Sequence, residues 1–160
     1  MPLIKHEIYI DAPIQICFDL ARNIQVHMET TSKTKERAIG GVTEGLIELG
    51  DTVTWEAVHL GVKQKLTAKI TEMEKPYRFT DEMVKGAFHS FKHTHEFIES
   101  GAGTVMKDEF AYISPLGILG KLADRLFLEK YMQAFIVNRS LALKEIAEKN
   151  NTKLSGKLHR

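Results

Sequence analysis

Between about residues 32 and 113 the sequence alternates apolar and polar side chains, and no other feature restricts the possible folds as much. Glycines interrupt the alternation at short intervals: Gly40, Gly41, Gly45, Gly50, Gly61, Gly86, Gly101 and Gly103. A period of two with frequent glycine turns predicts short strands joined by tight connections, which is the pattern of an antiparallel meander. We predict strands over residues 35–40, 52–60, 62–74, 77–84, 88–99 and 104–113.

A strand and two short helices are predicted before this stretch. Residues 3–10 are apolar and β-branched, and they end at Asp11-Ala12-Pro13, which predicts a strand running into a helix. We expect the helix over residues 13–21, with Asp11 as its N-cap. A second short helix is expected around residues 24–28.

One long helix is predicted after the stretch, over residues 116–149. Its first half is apolar on nearly all sides, and such a helix is expected to be covered on more than one side. A sheet with one apolar face needs a cover, and this helix is the only element large enough. The fold class predicted is therefore α+β, with six to seven antiparallel strands, two short helices after strand 1 and one long C-terminal helix.

Length and composition indicate one ordinary globular domain. The chain has 160 residues, and we expect a single domain over residues 1–149 and a polar, flexible tail over residues 150–160. Lys plus Arg is 22 and Asp plus Glu is 21, which lacks the basic excess of nucleic-acid-binding proteins. No apolar run reaches the about 20 residues that cross a bilayer, so stable membrane insertion is not expected. Charged residues interrupt the N-terminus, and Cys17 has no partner for an internal disulfide, so a cytoplasmic location is expected.

The strand alternation assigns side chains to the face that the helix covers. Val62 and Tyr77 are placed on it, as are the aromatic residues Trp55, Phe79, Phe91, Phe97, Phe110 and Tyr112. Polar side chains interrupt this face: His59, Gln64, Asp81, His93, His95 and Asp108. An unpaired buried polar group costs about 1–3 kcal/mol, so these groups either bond one another and trapped water or face a ligand cavity. With Met106 from the last strand and Phe127, Tyr131 and Phe135 from the helix, they are our candidate ligand-binding residues.

Five segments of the chain resemble the START-like SRPBCC superfamily. They read IYIDAPIQICFDLA, GVKQKLTAKITEMEKPYRFTDEM, FKHTHEF, TVMKDEFAY and SPLGILG. Within the superfamily the chain looks like the bacterial polyketide cyclase/dehydrase and lipid-transport group. The resemblance implies the helix-grip fold, a curved antiparallel sheet around the C-terminal helix with a hydrophobic tunnel between them. It implies no catalytic residue, because the superfamily has no universal catalytic motif.

The polar residues of the inner face allow alternative interpretations. His93 and His95 share a face and could ligate a metal ion with Asp108 or His59, but a hydrogen-bonded pair is the simpler interpretation, and no metal or cofactor is expected. A His/Asp pair could also serve as an acid–base group. Arg139 either pairs with an inner carboxylate or is solvated, whereas a stripe of lysines is assigned to the outer face: Lys63, Lys65 and Lys69.

Three functions remain open at this point. The favoured hypothesis is a binding protein that holds a small hydrophobic or amphipathic molecule such as a lipid, a quinone or a polyketide-like compound. The first alternative is an enzyme of the cyclase or dehydratase type that uses the cavity His/Asp groups without a cofactor. The second is an interaction module whose helix surface, around residues 126–137, docks a partner or a second copy in a homodimer.

Overall fold

The elements follow the order that the sequence predicts. The computed structural model describes residues 1–158. Its strands are β1 (Leu3–Ile10), β2 (Arg37–Gly41), β3 (Thr52–His59), β4 (Val62–Glu74), β5 (Arg78–Lys85), β6 (Ser90–Ser100) and β7 (Gly103–Ile113). Its α-helices are α1 (Ile14–Ala21), α2 (Ile24–Thr30), α3 (Ile118–Ala123) and α4 (Glu129–Leu158), and a π-helical segment, Asp124–Leu128, joins the last two.

The seven strands form one antiparallel sheet in the order β1-β7-β6-β5-β4-β3-β2. Helix α4 packs across β1, α1 and α2, and its buried residues face the inner side of the sheet. This arrangement confirms the predicted α+β class and the helix-grip architecture. Within residues 1–158, no helix has the length and apolar character that a membrane span requires.

The N-terminal helix and two strand ends differ from the prediction. Pro13, not Asp11, is the N-cap residue of α1, and no side chain caps this helix. The backbone N–H of Asp11 instead donates to the Glu148 carboxylate on α4. Val62 and Tyr77 are exposed rather than inward, because each lies where a strand begins and the sheet no longer has a covering layer there.

The C-terminal helix is longer than predicted. It continues to Leu158 instead of ending at residue 149, so the predicted tail is helical up to that residue, and His159 and Arg160 lie outside the described residues. Propagation adds one backbone hydrogen bond per residue, which outweighs the modest helix propensity of Asn and Thr. The Asn151 amide also donates to the Asp11 carbonyl, which ties this part of the helix to the end of β1.

The prediction that the first half of the long helix is covered on more than one side is wrong. Large apolar residues are exposed between β7 and α4: Leu116, Ile118, Leu119, Leu122, Leu126 and Phe127. Helix α3 and the π-helical segment have their main contacts with each other and with α4, so this part of the chain extends past the sheet. Within the interaction surface expected at residues 126–137, Leu126 and Phe127 are exposed, whereas Met132 and Ile136 are buried in the core.

The space between sheet and helix is solid at one end and hollow at the other. Helix α1 inserts Phe18, fully buried, against Phe79 and Phe97, with ring centroids 5.6 and 5.5 Å away in edge-on geometry. Cys17 is buried in the same cluster, as a small core residue. Because α1 fills this end, the remaining space lies at the other end of the sheet.

Candidate functional site

A cavity of about 250 Å³ occupies the hollow end. Its apolar wall comes from the sheet and from α4: Ala57, Leu66, Ala68, Phe91, Phe110, Met132 and Ile136. Leu60, Ala87 and Pro115 also line it and are exposed, so the cavity opens to solvent between them. Ligand pockets typically measure about 300–1,000 Å³, which places this cavity near the size of a small organic molecule.

Four ionisable residues from three adjacent strands meet beside the cavity, and we call them the aspartate–histidine cluster: Asp81, His93, His95 and Asp108. The strand register places Asp81 opposite His93 and His95 opposite Asp108, all on the inner face. His93 Nε2 lies 3.0 Å from Asp108 Oδ1, and His95 Nδ1 lies 2.8 Å from the same oxygen. His95 Nε2 lies 3.3 Å from Asp81 Oδ1, so His95 sits between two carboxylates. Ser140 on α4 donates to Asp108 Oδ2 at 3.0 Å, which closes the cluster from the helix side.

The two histidines of this cluster have opposite electrostatic environments. Burial and the neighbouring His95 lower the pKa of His93. Burial opposes the charge of His95 as well, but hydrogen bonds to Asp108 and Asp81 outweigh it and raise the pKa of His95. Burial likewise opposes ionisation of Asp108, yet the two histidines hold the pKa of its carboxyl well below the usual range. Near neutral pH the cluster therefore favours a neutral His93 beside a protonated His95 and two carboxylates.

A second polar group, the glutamate–histidine cluster, lines the cavity on the side of α2: His27, Glu36 and His59. Glu36 accepts a hydrogen bond from His27, and its other oxygen lies 3.8 Å from His59 Nε2. A hydrogen bond of 2.7 Å joins His59 Nδ1 to the hydroxyl of Tyr131 on α4. Burial opposes the charge of Glu36, but His27 and His59 outweigh it and lower the pKa of the carboxyl. The His27 ring stacks on Trp55 at 4.1 Å, which fixes the orientation of both rings.

Arg139 reaches the cavity from α4, between the two clusters. Its guanidinium donates to the Ala21 carbonyl at 3.3 Å, and the buried Nε has no partner within the part of the chain that the structure describes. Burial lowers the pKa of His27, and the charge of Arg139 lowers it further. Burial opposes the charge of Asp81, but His95 and His93, with a smaller contribution from Arg139, lower the pKa of its carboxyl. Of the two expected environments, the structure gives neither: no carboxylate within residues 1–158 pairs with Arg139, and its side chain is a partly buried cation that lines the cavity.

The structure brings together most of the residues that the sequence placed in a ligand site. Nine of them line the cavity: Trp55, His59, Gln64, Asp81, Phe91, His93, Phe110, Tyr131 and Phe135. Five others are buried outside it: Phe79, His95, Met106, Asp108 and Tyr112. Phe79 and Met106 belong to the solid end under α1, while His95 and Asp108 lie behind His93. Placing Phe127 in the site is wrong, because it lies on the π-helical segment and is half exposed.

Within residues 1–158, the aspartate–histidine cluster contains the residues best placed to hold a metal ion. Ligand atoms of Asp81, His93 and His95 lie within 4.8 Å of one another. The sequence pattern allowed Asp108 or His59 as the third ligand, whereas the structure brings Asp81 to this position and puts Asp108 behind both imidazoles. Both ring nitrogens of His95 already contact carboxylates, so the cluster is satisfied by its own hydrogen bonds.

Two ionisable residues of the site, His27 and Glu36, were not predicted from the sequence. Glu36 lies two positions before Ala38, on the half-buried side of β2, and the alternation rule applied to this strand would have found it. His27 lies on α2, and a helix of seven residues carries too little periodicity to show which face packs against the sheet.

The chain is similar in structure to three proteins of known architecture. A protein from Thermus thermophilus aligns with a TM-score of 0.75 and 22% identity, covering 90% of this chain and 95% of that one. A START superfamily protein from Mycobacterium smegmatis aligns with a TM-score of 0.72 and 9% identity, covering 92% and 97%. The major latex-like protein 151 of Panax ginseng aligns with a TM-score of 0.67 and 12% identity, covering 91% and 97%.

These similarities establish the fold. Compared by sequence, the chain matches no family model and no curated protein. At identities this low, structural similarity shows shared architecture and not shared activity. The chain has the START-like, SRPBCC-like fold that its sequence segments resemble.

Proposed function

We propose that the protein binds a small hydrophobic or amphipathic molecule, such as a lipid, a quinone or a polyketide-like compound, and carries it in the cytoplasm. The observation that carries this proposal is the cavity itself, whose wall is largely apolar and includes a few ionisable groups. Apolar walls with a few convergent polar groups are the usual form of a small-molecule site. The buried single thiol of Cys17 is consistent with a reducing compartment.

The apolar wall and the polar groups of the cavity have different roles in binding the ligand. The apolar wall stabilises the complex by about 25 cal/mol for each Å² of ligand surface removed from water. His93, Asp81 and Arg139 hydrogen-bond the polar group of the ligand, since all three line the cavity. The Arg139 Nε, which has no partner within residues 1–158, is the donor most in need of an acceptor.

The test fills the cavity without touching its polar groups. Ala57 points into the cavity from β3, and the next residue, Val58, points to solvent, so Ala57→Phe and Val58→Phe form a matched pair. Native mass spectrometry of the purified protein should detect a bound apolar molecule, and the stripped protein should bind the fluorescent probe anilinonaphthalene sulfonate. We expect the Ala57 variant to lose most of this binding and the Val58 variant to keep it. Equal binding by both variants, or no bound mass and no probe binding by the wild type, would rule out the cavity as the site.

A second candidate function is acid–base chemistry of the cyclase or dehydratase type on the bound molecule. The specific observation is that His93 and His95, with ring centroids 3.9 Å apart, have pKa values shifted in opposite directions. Two neighbouring groups of this kind supply one neutral base and one protonated acid. His93 faces the cavity, so it is the base that a substrate could reach.

Enolisation can be measured apart from binding. Acetylacetone in deuterium oxide exchanges its methylene protons when a base removes one and solvent returns a deuteron, and this exchange is followed by proton NMR. Catalysis by the cluster requires exchange faster than buffer alone and its loss in His93→Phe. If the wild type gives only the buffer rate, the acid–base function is excluded and ligand binding is unaffected.

A further inference from the structure

Three segments that are far apart in the sequence meet around the cavity opening, and we call them the rim. They are residues 60–63 of the β3–β4 hairpin, residues 84–88 of the β5–β6 hairpin, and residues 115–122 between β7 and α3. The pairing of Thr67 with Lys85 and of Ser90 with Ile113 puts these connections at the same end of the sheet. Each segment contributes at least one side chain to the cavity wall.

The rim is apolar and exposed. The exposed fraction is 85% for Ile118, 79% for Leu116 and 67% for Leu119, and several other apolar side chains of the rim are more than half exposed: Leu60, Val62, Val84 and Leu122. Single exposed apolar residues are ordinary, but a contiguous patch of this kind marks a surface that contacts something other than water.

The backbone also holds two of these leucines in an unfavourable conformation. Leu60 has a φ of 52° and Leu116 a φ of 67°, both in the left-handed region that side chains with a Cβ rarely adopt. Leu60 precedes Gly61 in the hairpin turn, a position where Asn or Asp is the usual choice. Both side chains stay more than half exposed, so burial does not offset this backbone cost, and backbone strain of this kind concentrates at ligand-binding and switch regions.

All charged side chains of the rim are basic. Its three segments contain Lys63, Lys85 and Lys121 and no Asp or Glu, although the whole chain is balanced at 22 basic to 21 acidic residues. Arg125 follows Lys121 by one helical turn, and both are exposed. Lys63 contacts Glu56 at 3.3 Å, whereas no acidic side chain within residues 1–158 pairs with Lys85, Lys121 or Arg125.

The charge pattern distinguishes between possible occupants of this surface. In a symmetric dimer formed through the rim, the same patch of both copies meets, so the lysines would face lysines. An anionic lipid surface offers phosphate groups to the lysines and a hydrocarbon boundary to the leucines and Ile118. We propose that the rim docks the protein peripherally on an anionic bilayer surface, with the cavity opening facing the membrane.

The test is sedimentation of the full-length protein with vesicles. Vesicles of phosphatidylcholine with about 30% phosphatidylglycerol should bind the wild type, and binding should weaken as the salt concentration rises from about 0.1 M to about 0.5 M. One lysine near such a surface is worth about a fivefold change in partition, so Lys85→Glu or Lys121→Glu should weaken binding roughly 25-fold. Lys153→Glu, at an exposed position on the far part of α4, is the matched control, because it makes the same change of charge away from the rim, and it should bind within about fivefold of the wild type.

Serine substitutions test the contribution of the apolar side chains of the rim to vesicle binding. Ile118→Ser with Leu119→Ser should abolish vesicle binding, whereas Leu154→Ser, at a half-exposed leucine on the far part of α4, should leave it unchanged. Equal binding of the wild type to neutral and anionic vesicles, or no binding to either, would overturn the proposal. A dimer in light scattering that the Ile118/Leu119 variant dissociates would overturn it in favour of a second copy. None of these variants changes a cavity residue, so the probe titration of the proposed ligand site gives an independent result.

Discussion

Asp108 holds the aspartate–histidine cluster together, and its neutralisation tests how that cluster contributes to stability. The side chain is 3% exposed, and its oxygens receive hydrogen bonds from His93, His95 and Ser140. Asp108→Asn keeps the shape of the side chain but removes the charge that faces the protonated His95. Removing one partner of a buried ion pair costs about 3–5 kcal/mol, and since Asn retains part of the hydrogen bonding we expect about 3 kcal/mol. In a chain of this length that loss lowers Tm by roughly 6–12 °C.

The pH dependence of this loss follows from the pKa shifts. The pKa of Asp108 is held below its ordinary 3.8, so its contribution is present above that pH and disappears on further acidification. The pKa of His95 is raised above its ordinary 6.5, so its contribution is complete below that pH and disappears as the pH rises through the raised value. The stability difference between wild type and Asp108→Asn should therefore be largest between about pH 4 and 6.5 and smaller at alkaline pH.

Urea denaturation followed by circular dichroism, at about pH 5.5 and about pH 9, measures this difference. Glu109→Gln is the matched control, because Glu109 is the next residue on β7, points to solvent and should change stability by less than about 0.5 kcal/mol. If Asp108→Asn unfolds within about 1 kcal/mol of the wild type at pH 5.5, or if the difference grows towards pH 9, the ion-pair description of the cluster is wrong.

Three further predictions follow from single contacts. Phe18→Ala removes the fully buried ring that packs on Phe79, so it should lower the free energy of unfolding, measured by urea titration, by about 3–5 kcal/mol. A loss below about 1 kcal/mol would contradict the close packing of Phe18 under α1. Tyr131→Phe removes the hydroxyl that bonds His59 and should cost only about 0.5–1.5 kcal/mol, measured in the same way. His93→Gln removes an imidazole whose pKa is lowered by folding, so its contribution to stability is present above about pH 6.5 and is lost as the pH falls below that value. The free energy of unfolding of the wild type should therefore fall more between about pH 7 and about pH 5 than that of the variant. Equal falls would contradict the lowered pKa of His93.

The strand alternation predicted the inner face well because the period of a strand is fixed by backbone geometry. Trp55, His59, Asp81 and His93 lie on one face of the sheet and line one cavity, as the alternation required. The same rule applied to β2 would have added Glu36. The alternation within each strand is therefore enough to predict which of its side chains lie on the inner face of the sheet.

Which inward residues meet the cavity was not predictable in the same way. Phe79 and Met106 satisfy the alternation, yet they lie under α1, because Phe18 fills the space above them. That outcome depends on where a short helix packs in three dimensions, which no periodicity within one strand records. Phe127 was misplaced for a related reason, since the π-helical segment changes the rotation of the helix and turns this side chain towards solvent.

The hollow end opposes stability in two ways, and the arrangement of the fold limits both. A cavity removes packing contacts from the residues around it, and a buried ionised group such as Asp108 often stabilises a fold less than an apolar residue of the same volume. Phe18 and its neighbours in the solid end supply the close packing that offsets these costs without sharing a side chain with the cavity wall. Substitutions at the two ends should therefore have largely additive effects on stability, because residues without shared partners seldom couple. A double variant of Phe18→Ala and Ala57→Phe whose loss of stability departs from the sum of the single losses by more than about 1 kcal/mol would show that the two ends are one cooperative packing unit.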